Sequence, residues 1–232
     1  MKRFRADAIV LGRTNYGEAD RIITFLTPDH GKVRGIAKGV RKPKSKLAAG
    51  IELLSVCDVL FLVGRSDIYT VASTRLRTYF GQIVKDLERT EIAYRLIKLI
   101  NKSTADAPER AYFNLLEAGL SALDDPSLDP DITALWFNMQ LLKLSGHAPE
   151  LLVDTDGQKL ETAGVYGFHM DRMRFTPETS KQGSFTANHI KFLRLGFEAQ
   201  RPQTLHRIKE ARSLADSTQP LVQSMLSNFV SI

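Results

Sequence analysis

Cysteine is nearly absent: Cys57 is the only one in 232 residues. A lone thiol can form no internal disulfide and cannot build a cysteine-based metal site, and this usage fits a reducing, cytoplasmic compartment. Long apolar runs are missing as well. The longest candidate, Val56 to Val63, is broken by Asp58 and falls far short of the roughly 20 residues that cross a bilayer, so no membrane span is expected. The stretch from Met1 to Leu11 is basic but lacks an apolar core and a small-residue cleavage site, so no secretory signal is expected either. There is no phosphate-cradling Walker pattern, which argues against ATP hydrolysis. His30, His147, His169, His189 and His206 share no ligand spacing, and no metal or other cofactor is expected. The sharpest absence is local: from His30 to Ile51 there is no acidic residue.

That same segment is crowded with positive charge. Residues 31–46 hold seven lysines and arginines and three glycines. Residues 1–80 carry 15 basic and 7 acidic side chains, residues 81–150 carry 7 and 11, and the whole chain has a formal net charge of +6. This asymmetry points to an N-terminal module that binds a polyanion, followed by a part with another task.

Residues 1–80 read as strands. Ala8–Leu11 and Arg21–Thr27 are apolar or β-branched, and Pro28-Asp29-His30-Gly31 turns the chain into Lys32–Ala37. In that last run Lys32 and Arg34 fall on one face and Val33 on the other. Leu53–Val63 and Ile68–Leu76 flank a second turn signal, Gly64-Arg65-Ser66-Asp67. Five short strands in this length suit a small barrel. From Gln82 the apolar period lengthens to about 3.6 residues. Helices are expected through Lys102, from Ala107-Pro108-Glu109, from Asp129-Pro130 to Ser145-Gly146, and after Arg201-Pro202. Residues 149–183 resemble neither neighbour and contain a hairpin signal, Tyr166–Phe175. The expected class is α+β: a barrel domain over 1–80 and a helical domain over 81–232 interrupted by a cysteine-free insert.

The basic segment lies at the end of a strand and in the loop that follows, where small barrels present their binding surface. Its side chains reach phosphates and its glycines allow close backbone approach. No sequence-reading helix accompanies them, so the pattern implies backbone binding without sequence preference. Tyr16, Phe25, Tyr69 and Tyr79 are nearby candidates for base stacking.

Val10-Leu11-Gly12-Arg13-Thr14-Asn15-Tyr16-Gly17-Glu18-Ala19-Asp20-Arg21, then Thr27–Lys32, then Ala37-Lys38-Gly39-Val40-Arg41-Lys42-Pro43-Lys44-Ser45, resemble the N-terminus of the bacterial recombination mediator family RecO. Leu141–Pro149 resembles that family's "LL-x-x-x-G-x-x-P" helix end, and the order of parts agrees along the whole chain. The resemblance implies an OB-fold barrel followed by a helical domain, with no enzymatic activity. It implies binding of single- and double-stranded DNA, annealing of complementary strands, contact with the C-terminal tail of the single-strand-binding protein SSB, and loading of RecA with RecR in the RecF pathway. Such a protein is expected in the bacterial cytoplasm, at the nucleoid during repair.

On this resemblance the DNA contacts are Lys32, Arg34, Lys38, Arg41, Lys42, Lys44 and Lys46, with Arg13 and Arg21 as weaker contributors. The SSB tail, short, acidic and apolar, would find its cation among Lys143, Arg207 and Arg212. Many family members carry a four-cysteine zinc site where this chain reads Glu150-Leu151-Leu152-Val153-Asp154-Thr155-Asp156-Gly157. Two carboxylates do not replace those thiolates, and the insert is read as a degenerate zinc-finger-like region held by its apolar residues. Two rival readings remain: an OB-fold RNA-binding protein linked to translation, and an enzyme built on Asp154, Asp156, His169 and Asp171. Elemental analysis of the purified protein is expected to find no stoichiometric zinc. About one zinc per chain would overturn the reading of the insert.

Overall fold

The five strand signals close on themselves. In a computed structural model of the chain, which describes residues 2–104, 109–178 and 185–230, β1 (Arg3–Tyr16), β2 (Asp20–Thr27), β3 (Gly31–Ala37), β4 (Ser55–Leu62) and β5 (Ile68–Tyr79) form a closed barrel in the order β1-β2-β3-β5-β4, as an OB-fold requires. The long β1 serves two partners: its first half pairs with β4, its second half with β2, and the register shifts between Val10 and Gly12 where the strand bends. Inside lie Ala8, Val10, Ile23, Phe25, Cys57, Val59, Phe61 and Val71. The alternation expected along β3 is present, with Val33 and Ala37 buried and Arg34 exposed.

Closure rests on β3 and β5, the barrel's one parallel pairing, where Arg34, Gly35 and Ile36 meet Ile68, Tyr69 and Thr70. At Gly35 an added Cβ would lie 2.8 Å from Val71 Cγ2, 3.3 Å from Phe25 and 3.4 Å from Phe61. A hydrogen is the only side chain that lets the strand approach this core.

The chain divides into two compact units, Met1–Pro126 and Ser127–Ile232. The first adds α1 (Leu87–Ser103) and α2 (Arg110–Leu123) to the barrel. Asp86 caps α1 by accepting the Arg89 N–H at 3.1 Å, and Ile92, Leu96 and Ile100 form its buried stripe. The Arg89 guanidinium donates to Leu123 O and Asp125 O, both at 2.9 Å, satisfying carbonyls at the end of α2. The expected start of α2 at Ala107-Pro108 lies outside the described residues.

The second unit begins with α3 (Pro130–Leu144), which opens as its sequence dictates. Asp129 accepts the N–H groups of Asp131 and Ile132 at 2.9 and 3.2 Å, and Pro130 occupies the first turn. α4 (Ala187–Glu198), α5 (Gln203–His206) and α6 (Ala211–Phe229) complete its helices. Trp136 Nε1 donates to Ala199 O at 2.8 Å, so the single tryptophan ties α3 to the end of α4. The insert is a small sheet of β6 (Val165–His169), β7 (Arg174–Pro177) and β8 (Phe185–Thr186). Phe175 is fully buried there, with Phe168 and Phe185 packed edge-on at 5.1 and 5.5 Å. Residues 179–183 of the insert lie outside the described residues. Among the described residues no helix is long and apolar enough to cross a membrane.

Gly35→Ala is expected to destabilise the barrel by about 1–3 kcal/mol through overpacking. Gly12→Ala, where an added Cβ meets nothing within 4 Å, should stay within about 0.5 kcal/mol of the unmodified chain. Thermal denaturation of the two variants checks the contrast.

Candidate nucleic-acid interface

Beyond Ala37 the chain leaves β3 as a run of turns held by a short series of defined contacts. Val40 is buried in the barrel core. The Asp20 carboxylate accepts the Gly39 N–H at 2.7 Å, and the Arg41 N–H donates to Ala19 O at 2.9 Å. Gly39 sits at φ +64°, the left-handed region that glycine adopts without strain. Two further turns follow, with the Lys42 N–H donating to Gly39 O at 3.1 Å and the Ser45 N–H to Lys42 O at 3.0 Å. The backbone is therefore fixed while its cations face solvent.

Lys38, Arg41, Lys42, Lys44 and Lys46 are all exposed, as is Arg34 on the outer face of β3. No ion pair among the described residues engages any of the six. Arg41 reaches only the Gly17 carbonyl, at 3.4 Å. The remaining three expected contacts are differently placed. Lys32 donates to Asn101 O at 3.0 Å, Arg13 pairs with Glu52 at 2.7 Å, and Arg21 donates to Asn15 Oδ1 at 3.1 Å. Arg13 thus has its charge met within the protein. A fixed backbone carrying unpaired cations gives a strong local positive potential that only an external anion relieves.

The aromatic candidates separate cleanly. Phe25 is core, and Tyr69 is half-buried against Phe4 with their rings 5.7 Å apart. Tyr16 and Tyr79 are exposed, and the Tyr79 ring lies over Gly81, where an added Cβ would come within 2.9 Å of it. The Cys57 thiol is pushed up by burial, against a hydrogen bond with Ser55, so it stays protonated and inert.

In the second unit, two of the three cations expected to receive an acidic tail are already occupied. Arg212 bridges Asp129, Asp131 and Asp216 at 3.0, 2.8 and 3.1 Å. Burial pushes the Asp129 carboxyl up. The N–H of Ile132 and the Arg212 guanidinium more than offset that, leaving the carboxyl below its ordinary value. Stability from this cluster is therefore complete at neutral pH and is lost as pH falls through the lowered value. Lys143 donates to Phe197 O at 3.0 Å and pairs with Glu198 at 2.9 Å, closing the end of α4. Of these three, Arg207 is exposed and has no ion pair among the described residues. A feature the sequence did not single out lies close to it: a groove of about 440 Å³ lined by Phe192, Leu195, Ile208 and Leu214, with Lys191 and Lys209 on its wall.

The acids of the insert do not gather into a site. Asp154 is buried, and its carboxylate accepts the N–H groups of Asp156 and Gln158 at 2.9 and 2.8 Å. It shapes a turn. His169 and Asp171 flank the other end of the hairpin, at the close of β6.

Comparison with known proteins places the chain among relatives of one family. The family model described as Recombination protein O N terminal matches residues 1–80, and that described as Recombination protein O C terminal matches residues 84–170. The chain is 38% identical over 149 residues to a DNA repair protein RecO of Moorella thermoacetica, covering 64% of this chain and 55% of that protein. A Dehalococcoides mccartyi protein of the same name is also 38% identical over 149 residues, covering 64% and 58%. One from Bifidobacterium longum subsp. infantis is 35% identical over 153 residues, covering 65% and 64%. The chain's match thus spans less than two thirds of the length of these curated relatives.

The Asp20–Gly39 bond is open to a direct test. Asp20→Ala is expected to speed exchange of the Gly39 amide by at least about tenfold, read by hydrogen exchange of the loop peptide. Unchanged exchange would mean that the carboxylate does not hold the loop.

Proposed function

The chain belongs to the recombination protein O family, and from that premise we propose that it acts in DNA repair and recombination as a non-enzymatic mediator. It binds single- and double-stranded DNA through the basic rim of the barrel, anneals complementary strands, and with RecR helps load RecA on DNA coated by SSB. It works in the cytoplasm, at the nucleoid during repair. The observation that carries this reading is the loop anchored by the Asp20–Gly39 hydrogen bond, whose cations meet no acid among the described residues. Arg34, Lys38, Arg41, Lys42, Lys44 and Lys46 neutralise phosphates, Lys32 assists, and Arg13 and Arg21 position the strands behind them. Annealing follows from the same chemistry, since cations that screen two backbones at once reduce the repulsion between the strands.

The SSB tail needs an apolar pocket for its last side chain and a free cation for its carboxylates. The groove beside α4 and the start of α6 offers both, with Lys191 and Lys209 outnumbering its one acid, Glu210, beside Phe192 and Leu195, and with Arg207 next in sequence to its lining residue Ile208. Lys143 and Arg212, already bound to Glu198 and to three aspartates, are better understood as structural.

Two measurements follow. Across a salt series, log K for single-stranded DNA should fall with log salt by about 0.7 for each phosphate contact. Replacing Lys38, Arg41, Lys42 and Lys44 with alanine should flatten the slope and weaken all sequences alike, whereas an unchanged slope would show that the loop is not the contact. A labelled tail peptide should bind in the micromolar range, roughly −8 kcal/mol, and Lys191→Glu with Lys209→Glu should weaken it at least about tenfold with DNA binding intact. Loss of peptide binding on loop substitution instead would place the tail on the barrel.

A further inference from the structure

The turn joining β2 to β3 presents a side chain that the barrel does not need. Thr27 is fully buried, and its hydroxyl accepts the His30 N–H at 3.1 Å while donating to Gly31 O at 3.0 Å. Gly31, at φ +63°, closes the turn. With the backbone pinned, the His30 ring lies on Phe4, centroids 4.0 Å apart and planes 35° apart. Phe4 in turn stacks on Phe61 at 5.0 Å and 25°. Phe61 is core, Phe4 half-buried and His30 exposed. Three rings thus form a column that begins in the barrel core and ends at the surface. Tyr69 braces Phe4 edge-on, and a cavity of about 430 Å³ opens here, lined also by Lys32, Arg34 and Asp67.

We propose that this end of the barrel is a stacking site for one unpaired nucleobase of a single strand, with His30 as the platform and Arg34 and Lys32 holding the adjoining phosphates. The inference rests on the reading of the basic loop as a DNA contact and adds a second point of attachment to it. A planar base continues a column of rings, because its π-face meets another aromatic face without needing a particular hydrogen bond. The cations suit the flanking backbone. Arg34 is unpaired among the described residues, and Lys32 keeps two of its three donors after bonding Asn101 O. Of the nearby acids, Asp29 is ion-paired with Arg110, which leaves Asp67 as the carboxylate facing the cavity. β3 joins the two attachments: its seven residues span about 23 Å from His30 to the loop, with Lys32 and Arg34 along the way. A duplex keeps its bases stacked on one another and cannot offer one here without unpairing it. The site therefore favours single strands, whereas the loop takes both forms.

The test uses the full chain, a labelled single strand of about 20 nucleotides and the matching duplex. His30→Ala should raise the single-strand Kd by between about fivefold and a hundredfold. The duplex Kd should stay within about twofold, with the salt slope and melting temperature unchanged. His30→Phe should restore single-strand binding. His30→Trp should report the stack directly, as fluorescence quenched by the single strand above the signal of buried Trp136. A single-strand Kd unmoved by His30→Ala, or moved equally for the duplex, overturns the stacking site while the loop reading stands. A salt slope unmoved by the loop substitutions, alongside a loss in His30→Ala, overturns the loop reading and leaves the stacking site.

Discussion

Five strands become a barrel here only because β3 can lie parallel against β5, and it can do so only because Gly35 carries no side chain over Val71, Phe25 and Phe61. The proposed DNA contacts hang on the strand so fixed. With Val33, Gly35 and Ala37 turned inward, Lys32 and Arg34 must point outward. One end of the strand must carry His30, and the other must run on into the loop that begins at Lys38. At both ends a side-chain oxygen accepts a backbone N–H, Thr27 from His30 and Asp20 from Gly39, and these bonds hold the backbone that carries the side chains. Pre-organisation of this kind lowers the ordering cost of binding, which for a flexible basic tail would offset much of the electrostatic gain.

Two groups of cations in the molecule contrast. Arg89, Lys143 and Arg212 close helix ends or bridge acids, and Arg13 is paired across the barrel with Glu52. Removing any of them leaves a carbonyl or a carboxylate without its partner, so they belong to stability. The loop cations answer no acid in the described protein. Side by side they repel one another and lower the stability of the fold, a cost tolerated where the charge serves a ligand. Partner count within the structure, more than local charge density, separates the two groups.

That distinction explains which parts of the chain were legible in its sequence. The barrel was, because period-two alternation and turn residues are local signals, and so was the basic loop. The cap of α3 was written in Asp129-Pro130. Of the three acids that engage Arg212, Asp216 is one helical turn away and locally legible, whereas Asp129 and Asp131 lie about 80 positions away and leave no local trace. Lys143 faced the same obscurity with respect to Glu198. α4 escaped notice because its start is marked by Thr186 and a histidine, His189, in place of the usual acidic capping residue. Among the aromatics, composition could not tell Phe25 in the core from Tyr79 at the surface. The insert does without thiolates because Phe175 gathers Phe168 and Phe185 around it and Asp154 ties its turn through two amides. The Asp154 turn is a local Asx-turn and Phe168 faces Phe175 across the expected hairpin, whereas the contact with Phe185 joins residues ten positions apart and carries no such local signal.

The outer face of β3, from the turn before it to the loop after it, is the proposed path of DNA. Ultraviolet cross-linking of the full chain to a single strand carrying bromodeoxyuridine, with peptides mapped by mass spectrometry, addresses it most directly. The cross-linked peptides should come from residues 27–47. Cross-links confined to residues 127–230 would contradict the account.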